Sequence, residues 1–336
     1  MAFEQVDWKR LLADIDRGIC TPFVGAGACA GYLPLSSQLA EALAEDEQYF
    51  MSSRKDLAAV TQYMAVTHSD GNYPKREIAP FFAFQQSSPD VIAKNALLAR
   101  LYNSRRPLDV ADEEDPHVVL ADIRSGIYLT TNYDDFMFKA LKARAPENEV
   151  VDVKRDLCRW TETLFRERQS PFDHGFDPSR RHPVVYHLHG HAEVPDSIVV
   201  SEDDYIDFTV NISSEITVSK HGKGGKARLP LAIRSALRNN TLLFVGYHVA
   251  DQNLRIILRL VCQTLGMAEQ RLNVAIQLPD SEIADLSMLS EVQQYLERRY
   301  RWSLRLQVYW GDAREFASEL RKQINKRRRP AESHAA

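Results

Sequence analysis

The sequence contains no apolar run near the roughly 20 residues that a helix needs to cross a membrane; its longest are short, such as Leu242, Leu243, Phe244 and Val245. No membrane-spanning segment is expected. Cysteine is scarce, and the four present (Cys20, Cys29, Cys158 and Cys262) form no CxxC pair. That argues against a zinc ribbon or a disulfide framework and fits a reducing cytoplasm. Met1 to Gly18 lacks the basic start, apolar middle and small-residue cleavage site of a secretory signal. It reads instead as an amphipathic helix on Val6, Trp8, Leu11, Leu12 and Ile15 that stops at Gly18. No charge dominates either: 42 Lys plus Arg against 46 Asp plus Glu give a net charge of -4 over 336 residues. With 44% hydrophobic and 26% charged residues, the chain has an ordinary globular composition that excludes disorder for most of its length.

What is present is an alternation. Short β-branched or apolar runs recur at Ile19 to Val24, Ile127 to Thr131, Val184 to Leu188, Ile198 to Val200, Thr241 to Val245, Leu272 to Gln277 and Leu304 to Tyr309, with helical patterns between them. This predicts an α/β fold, a Rossmann-like parallel sheet with helices on both faces. About a hundred residues separate the first two runs, more than one crossover helix needs, so a helical insertion is expected over 56–119, with the core in 19–55 and 120–320. Leu157 to Arg181 reads as a second insertion and Ser219 to Arg228 as a loop. A helix capped by Asp251 is expected over Leu254 to Val261. Asp312 and Glu315 have capping-box spacing ahead of Phe316, Leu320 and Ile324. The basic stretch from Arg321 to Arg329 reads as a solvated helix end and tail over 321–336.

Four segments carry candidate chemistry. Gly25-Ala26-Gly27 follows a strand and precedes a helical pattern, a phosphate-binding layout that an unliganded glycine turn would share. No acid stands at the end of a next strand about 20 residues on, which weakens a dehydrogenase reading. Thr130-Thr131-Asn132-Tyr133-Asp134-Asp135 ends a second strand, where Asn132 and Asp134 could touch a ligand or serve as turn and cap residues. Tyr186-His187-Leu188-His189-Gly190-His191 ends a third. Alternation places its three histidines on one face, yet no acid or cysteine completes a metal set, so one working base with two structural partners is favoured. Val245-Gly246-Tyr247 ends a fourth and reads equally as an ordinary strand-to-helix loop.

In this order the four segments resemble the sirtuin superfamily, and most closely its bacterial sirtuin-like NAD-hydrolase branch from antiphage defence systems. Ser201-Glu202-Asp203-Asp204-Tyr205 also looks like that branch. The resemblance runs from about Ile19 to Gly311 and implies one catalytic domain over 1–320. It implies catalytic roles for Asn132 and His189, NAD phosphate contacts at Gly25, Ala26 and Gly27, a ribose or nicotinamide contact at Asp134, and adenosine-side contacts at Gly246 and Tyr247. NAD is then the substrate and no metal is expected, since deacylating sirtuins carry a four-cysteine zinc module for which this chain lacks the pairs. Protein deacylation, ADP-ribosyl transfer and non-catalytic nucleotide binding stand as alternatives. Cys29 occupies a position where sirtuins commonly have serine; nothing in the sequence sets a base beside it. Cytoplasmic location, a homo-oligomer and a partner ATPase of HerA type are expected, and direct nucleic-acid binding is not.

Overall fold

The computed structural model describes residues 6–83, 95–146, 149–218, 227–247, 273–277, 289–304 and 306–328. The strands are β1 (Cys20–Val24), β2 (Ile127–Thr130), β3 (Lys154–Leu157), β4 (Val184–His187), β5 (Thr241–Val245), β6 (Asn273–Gln277) and β7 (Leu306–Trp310). They form one sheet in the order β3-β4-β2-β1-β5-β6-β7, with every pair parallel. The chain is therefore a Rossmann-like α/β protein. Burial on both faces explains the continuous apolar runs of the central strands: Phe23, Leu129, Tyr186 and Phe244 face one core, and Val24, Tyr128, Val185 and Val245 the other.

The helices are α1 (Trp8–Asp16), α2 (Ser36–Asp46), α3 (Leu57–Thr67), α4 (Tyr73–Phe82), α5 (Ala96–Ser104), α6 (Pro116–Asp122), α7 (Phe136–Ala143), α8 (Glu162–Glu167), α9 (Glu202–Val218), α10 (Leu231–Asn239), α11 (Leu289–Leu304) and α12 (Ala313–Arg328). Helices α1, α6, α7 and α12 cover one face through Leu11, Val119, Met137 and Phe316. Helices α9, α10 and α11 cover the other through Phe208, Ile233 and Tyr300. A third core joins Leu39, Val60, Ile78 and Leu98 of α2 to α5 with Tyr133 and Val200, which lie beyond the carboxyl ends of β2 and β4.

Three expectations are corrected. Ile198 to Val200 is buried but is no strand: it leaves a 3-10 turn, Pro195–Ser197, and passes behind His189, whose carbonyl accepts from the Val199 amide at 3.0 Å. The edge strand β3 instead comes from Lys154–Leu157, whose charged sequence KRDL hides it. The basic stretch does not leave the fold at Arg321, because α12 runs on to Arg328 with Ile324 against the core. Arg321 pairs with Glu113 and Asp122, and Arg327 with Asp16. The Asp312 box closes in both directions, with Asp312 N to Glu315 Oε2 at 3.0 Å and Glu315 N to Asp312 Oδ1 at 2.7 Å. The expected Asp251-capped helix and most of the loop 219–228 lie outside the described residues.

Candidate active site

In an open parallel sheet the ligand crevice lies beyond the carboxyl ends of the strands, where strand order reverses. Here that point is β1, from which the chain goes first to β2 and later to β5. Val24 lies beside Thr130 on one side and Val245 on the other, and Thr130 lies beside His187. All four predicted segments thus leave neighbouring strands at one level of the sheet.

The two glycine turns interlock. The Gly25 amide donates to the Val245 carbonyl at 2.9 Å and the Gly27 amide to the Gly246 carbonyl at 2.8 Å. Gly246 has φ +80°, and a Cβ there would lie 2.2 Å from the Ala28 nitrogen, so both conformation and space demand glycine. Tyr247 locks the junction: its hydroxyl donates to the Val24 carbonyl at 3.0 Å and lies 2.9 Å from Thr131 Oγ1. The expected α-helix does not open directly behind the loop. Ala26–Cys29 forms a 3-10 turn, Gly31 turns the chain at φ +83°, and α2 begins only after Pro34, where the Leu35 amide bonds Gln38 Oε1 at 2.9 Å. The amides of Gly25 and Gly27 are thus spent on seating the loop. The Ala26 amide takes no part in those bonds.

Asn132 is held at three points. Its amide donates to Thr130 Oγ1 at 2.9 Å, its carbonyl accepts from His187 Nδ1 at 2.9 Å, and its Nδ2 donates to Cys29 Sγ at 3.2 Å. The last bond fixes the orientation of the side-chain amide, and Oδ1 stays out of these contacts as an acceptor. Asp134 takes the capping role, since Oδ1 accepts from the Phe136 amide at 2.8 Å, and its Oδ2 accepts from the Cys29 thiol at 3.3 Å.

The sequence missed His117 and Asp115. Asp115 caps α6 and accepts from His117 Nδ1 at 3.1 Å, which sets His117 Nε2 3.7 Å from Cys29 Sγ. A base does therefore stand beside Cys29, contrary to expectation. Even so, burial first, then the charges of Asp134 and Asp115, push the thiol well above its usual range, so it stays protonated and is a poor nucleophile. The available signal was the run Asp115-Pro116-His117, a cap with proline at the first helical position.

The three histidines do not share a face. The strand stops at His187, and Gly190, at φ +86°, turns the chain where a Cβ would meet the Ser197 carbonyl at 2.1 Å. His187 and His191 stay together with ring centroids 4.8 Å apart. His191 Nδ1 accepts from the Glu193 amide at 3.1 Å, so Nε2 donates to Asp135 at 3.1 Å. Burial opposes ionisation of Asp135, yet bonds from His191 and Arg155 hold its carboxyl below the usual range. His189 turns to the other face, edge-on to Tyr205 and Phe208 at 5.4 and 5.0 Å. Its Nε2 is buried without a hydrogen-bond partner, and burial lowers its pKa to about 3. The Ser201 to Tyr205 segment thereby gains a role: Tyr205 walls His189, while Asp204 Oδ2 accepts from the amides of Val200 and Ser201, both at 3.1 Å.

Fold and site together define a doubly wound α/β protein with polar residues gathered at its switch point. Residues 126–301 match the family described as SIR2-like domain, and the chain belongs to that family. Two relatives give the likeness more detail. The chain is 26% identical over 252 residues, 74% of its length, to the NAD(+) hydrolase ThsA of Acinetobacter baumannii (strain 532279). It is 30% identical over 147 residues, 44% of its length, to the NAD(+) hydrolase ThsA of Bacillus cereus (strain MSX-D12). The matched segments span 40% and 24% of those relatives' own lengths.

Proposed function

We propose that this protein hydrolyses NAD+ at the nicotinamide–ribose bond, releasing nicotinamide and ADP-ribose. What supports the reading is that the strands leading into the glycine loop, Asn132 and His189 end side by side in a sheet of the SIR2-like family. The chemistry needs few groups. Nicotinamide leaves a cationic ring as a neutral molecule, so no general acid is required; the protein must stabilise oxocarbenium-like charge and admit one water. Asn132, locked through Nδ2, offers Oδ1 to orient water and a ribose hydroxyl. His189, neutral in its apolar surround, accepts a proton from that hydroxyl or the water. Ala26 and the loop hold the pyrophosphate, Asp134 meets the ribose or nicotinamide, and Gly246 with Tyr247 borders the adenosine side.

The test is nicotinamide release from NAD+ with and without an acylated peptide. Acceptor-free release is expected; release only with the peptide would favour deacylation, and binding without release a regulator. Asn132→Ala and His189→Ala should each lower the rate by about 10² to 10⁴-fold with unchanged circular dichroism. We extend the reading to a cytoplasmic antiphage effector that depletes NAD+ and is restrained by self-assembly or by a partner ATPase of HerA type. Mass in solution, alone and with neighbouring gene products, checks that extension; a constitutively active monomer speaks against it.

A further inference from the structure

Cys29, His117 and Asp134 reach one point from three distant parts of the chain. Cys29 Sγ, His117 Nε2 and a carboxylate oxygen of Asp134 lie within 4.8 Å of one another, and all three residues are buried. The separations are 3.3 Å from Sγ to Oδ2 and 3.7 Å from Sγ to Nε2. A tetrahedral zinc ion with ordinary bond lengths sets sulfur about 3.5 Å from a neighbouring nitrogen or oxygen ligand, so both separations from sulfur match edges of such a site.

Each candidate ligand also has the outer partner that metal ligands require. Asp115 Oδ1 takes the Nδ1 proton of His117, turning the Nε2 lone pair inward. The Phe136 amide holds Asp134 Oδ1, and Oδ2, which accepts from the Cys29 thiol, becomes available to coordinate once that thiol loses its proton. Asn132 Nδ2 donates to the sulfur, a bond that a thiolate accepts more strongly than a thiol. The charge points the same way. Asp115 and Asp134 are buried carboxylates that no Lys or Arg pairs with among the described residues; their neighbours there are His117, Cys29 and, beside Asp115, the Tyr32 hydroxyl. Two such groups without a compensating cation are costly in a protein interior. We propose that Cys29, His117 and Asp134 bind a thiophilic divalent cation of the zinc type, with a fourth position open to water or another donor. On binding, the Cys29 S–H bond breaks, its proton leaves to solvent, and the sulfur pair forms the bond to the metal. The set is too soft for magnesium or calcium, which take oxygen ligands.

The metal site shares Asp134 and the Asn132 side chain with the proposed NAD site, so its test reads the metal alone and not NAD turnover. Metal-free full-length protein is titrated with zinc against a chromophoric chelator, and separately with cobalt(II) as an optical reporter. One zinc per chain is expected, with a thiolate-to-cobalt charge-transfer band in the unaltered protein. Cys29→Ser should abolish the band and weaken zinc binding at least about tenfold, and Asp115→Asn should weaken it by about 10 to 100-fold while keeping the band. Absence of stoichiometric zinc, cobalt binding without the thiolate band, or equal affinity in a folded Cys29→Ser protein would each overturn the proposal. The cobalt spectrum of the unaltered protein decides the matter even if a variant misfolds.

Discussion

His189 and His187 are both kept neutral by burial, with pKa values lowered to about 3. In the unfolded chain each titrates near 6.5. Between these values the unfolded chain binds protons that the fold does not, so stability falls as pH drops from about 6.5 toward 3, by about 1.4 kcal/mol per pH unit for each histidine. Neither contributes a pH slope above that window. Asp135, with its depressed carboxyl, adds a loss in the same direction below the ordinary carboxylate range. Urea unfolding at a series of pH values checks this: a stability flat from pH 7 to 4 would mean that the two rings are hydrated and not buried. The same burial keeps His189 unprotonated at any physiological pH while weakening it as a base; if it is the proposed base, the acid limb of the NAD+ rate should fall well below the pKa of a free histidine, provided the fold survives there.

At the scale of elements, the site depends on how two turns fit. Gly246→Ala forces a methyl onto the Ala28 backbone and a side chain into the left-handed region. A cost of at least about 1 to 3 kcal/mol follows from the conformation alone, and the loop should lift off Val245 and Gly246. Chemical unfolding reads the stability and NAD binding reads the loop; unchanged values in both would show that the two turns are independent. Helix α4 is tied to the start of α9 in another way. Lys75 Nζ lies 2.8 Å from Asp204 Oδ1, with both side chains nearly covered, and 5.0 Å from the centre of the Trp160 ring. Breaking a buried pair by removing one partner costs about 3 to 5 kcal/mol, so Lys75→Ala should lower stability by that order in the same assay. Surviving stability within 1 kcal/mol of the parent would remove this anchor from the fold.

Most of the sheet was legible because central strands are buried on both faces and read as unbroken apolar runs, as in Thr241–Val245. β3 was not, because an edge strand can keep Lys154 and Arg155 partly in water and so imitates a loop. The candidate residues Asn132 and His189 stood out from their place at strand ends. The partners that surround them did not: His117 reaches Cys29 across 88 positions in sequence, and no local pattern encodes a contact of that span. The histidine facing failed for a related reason. Alternation holds only while the strand lasts, and β4 stops at His187.

For the molecule as a whole, substrate binding and stability are linked. A ligand held only by the folded state adds RT ln(1 + [L]/Kd), about 2.7 kcal/mol at one hundred times Kd. NAD+ given to the His189→Ala protein, in which slowed turnover and an intact loop are expected, should therefore raise the thermal midpoint in a dose-dependent way. No shift at saturating NAD+ would separate the fold from the nucleotide and undo the proposed function.

The interlocked turns set a limit on when this protein can first work. The carbonyls under Gly25 and Gly27 come from Val245 and Gly246, within the last third of the chain. A polypeptide still on the ribosome and ending short of Thr241 already holds both Asn132 and His189, yet has nothing on which to rest its first loop. A growing chain therefore cannot seat its first loop until β5 has emerged and slotted in beside β1.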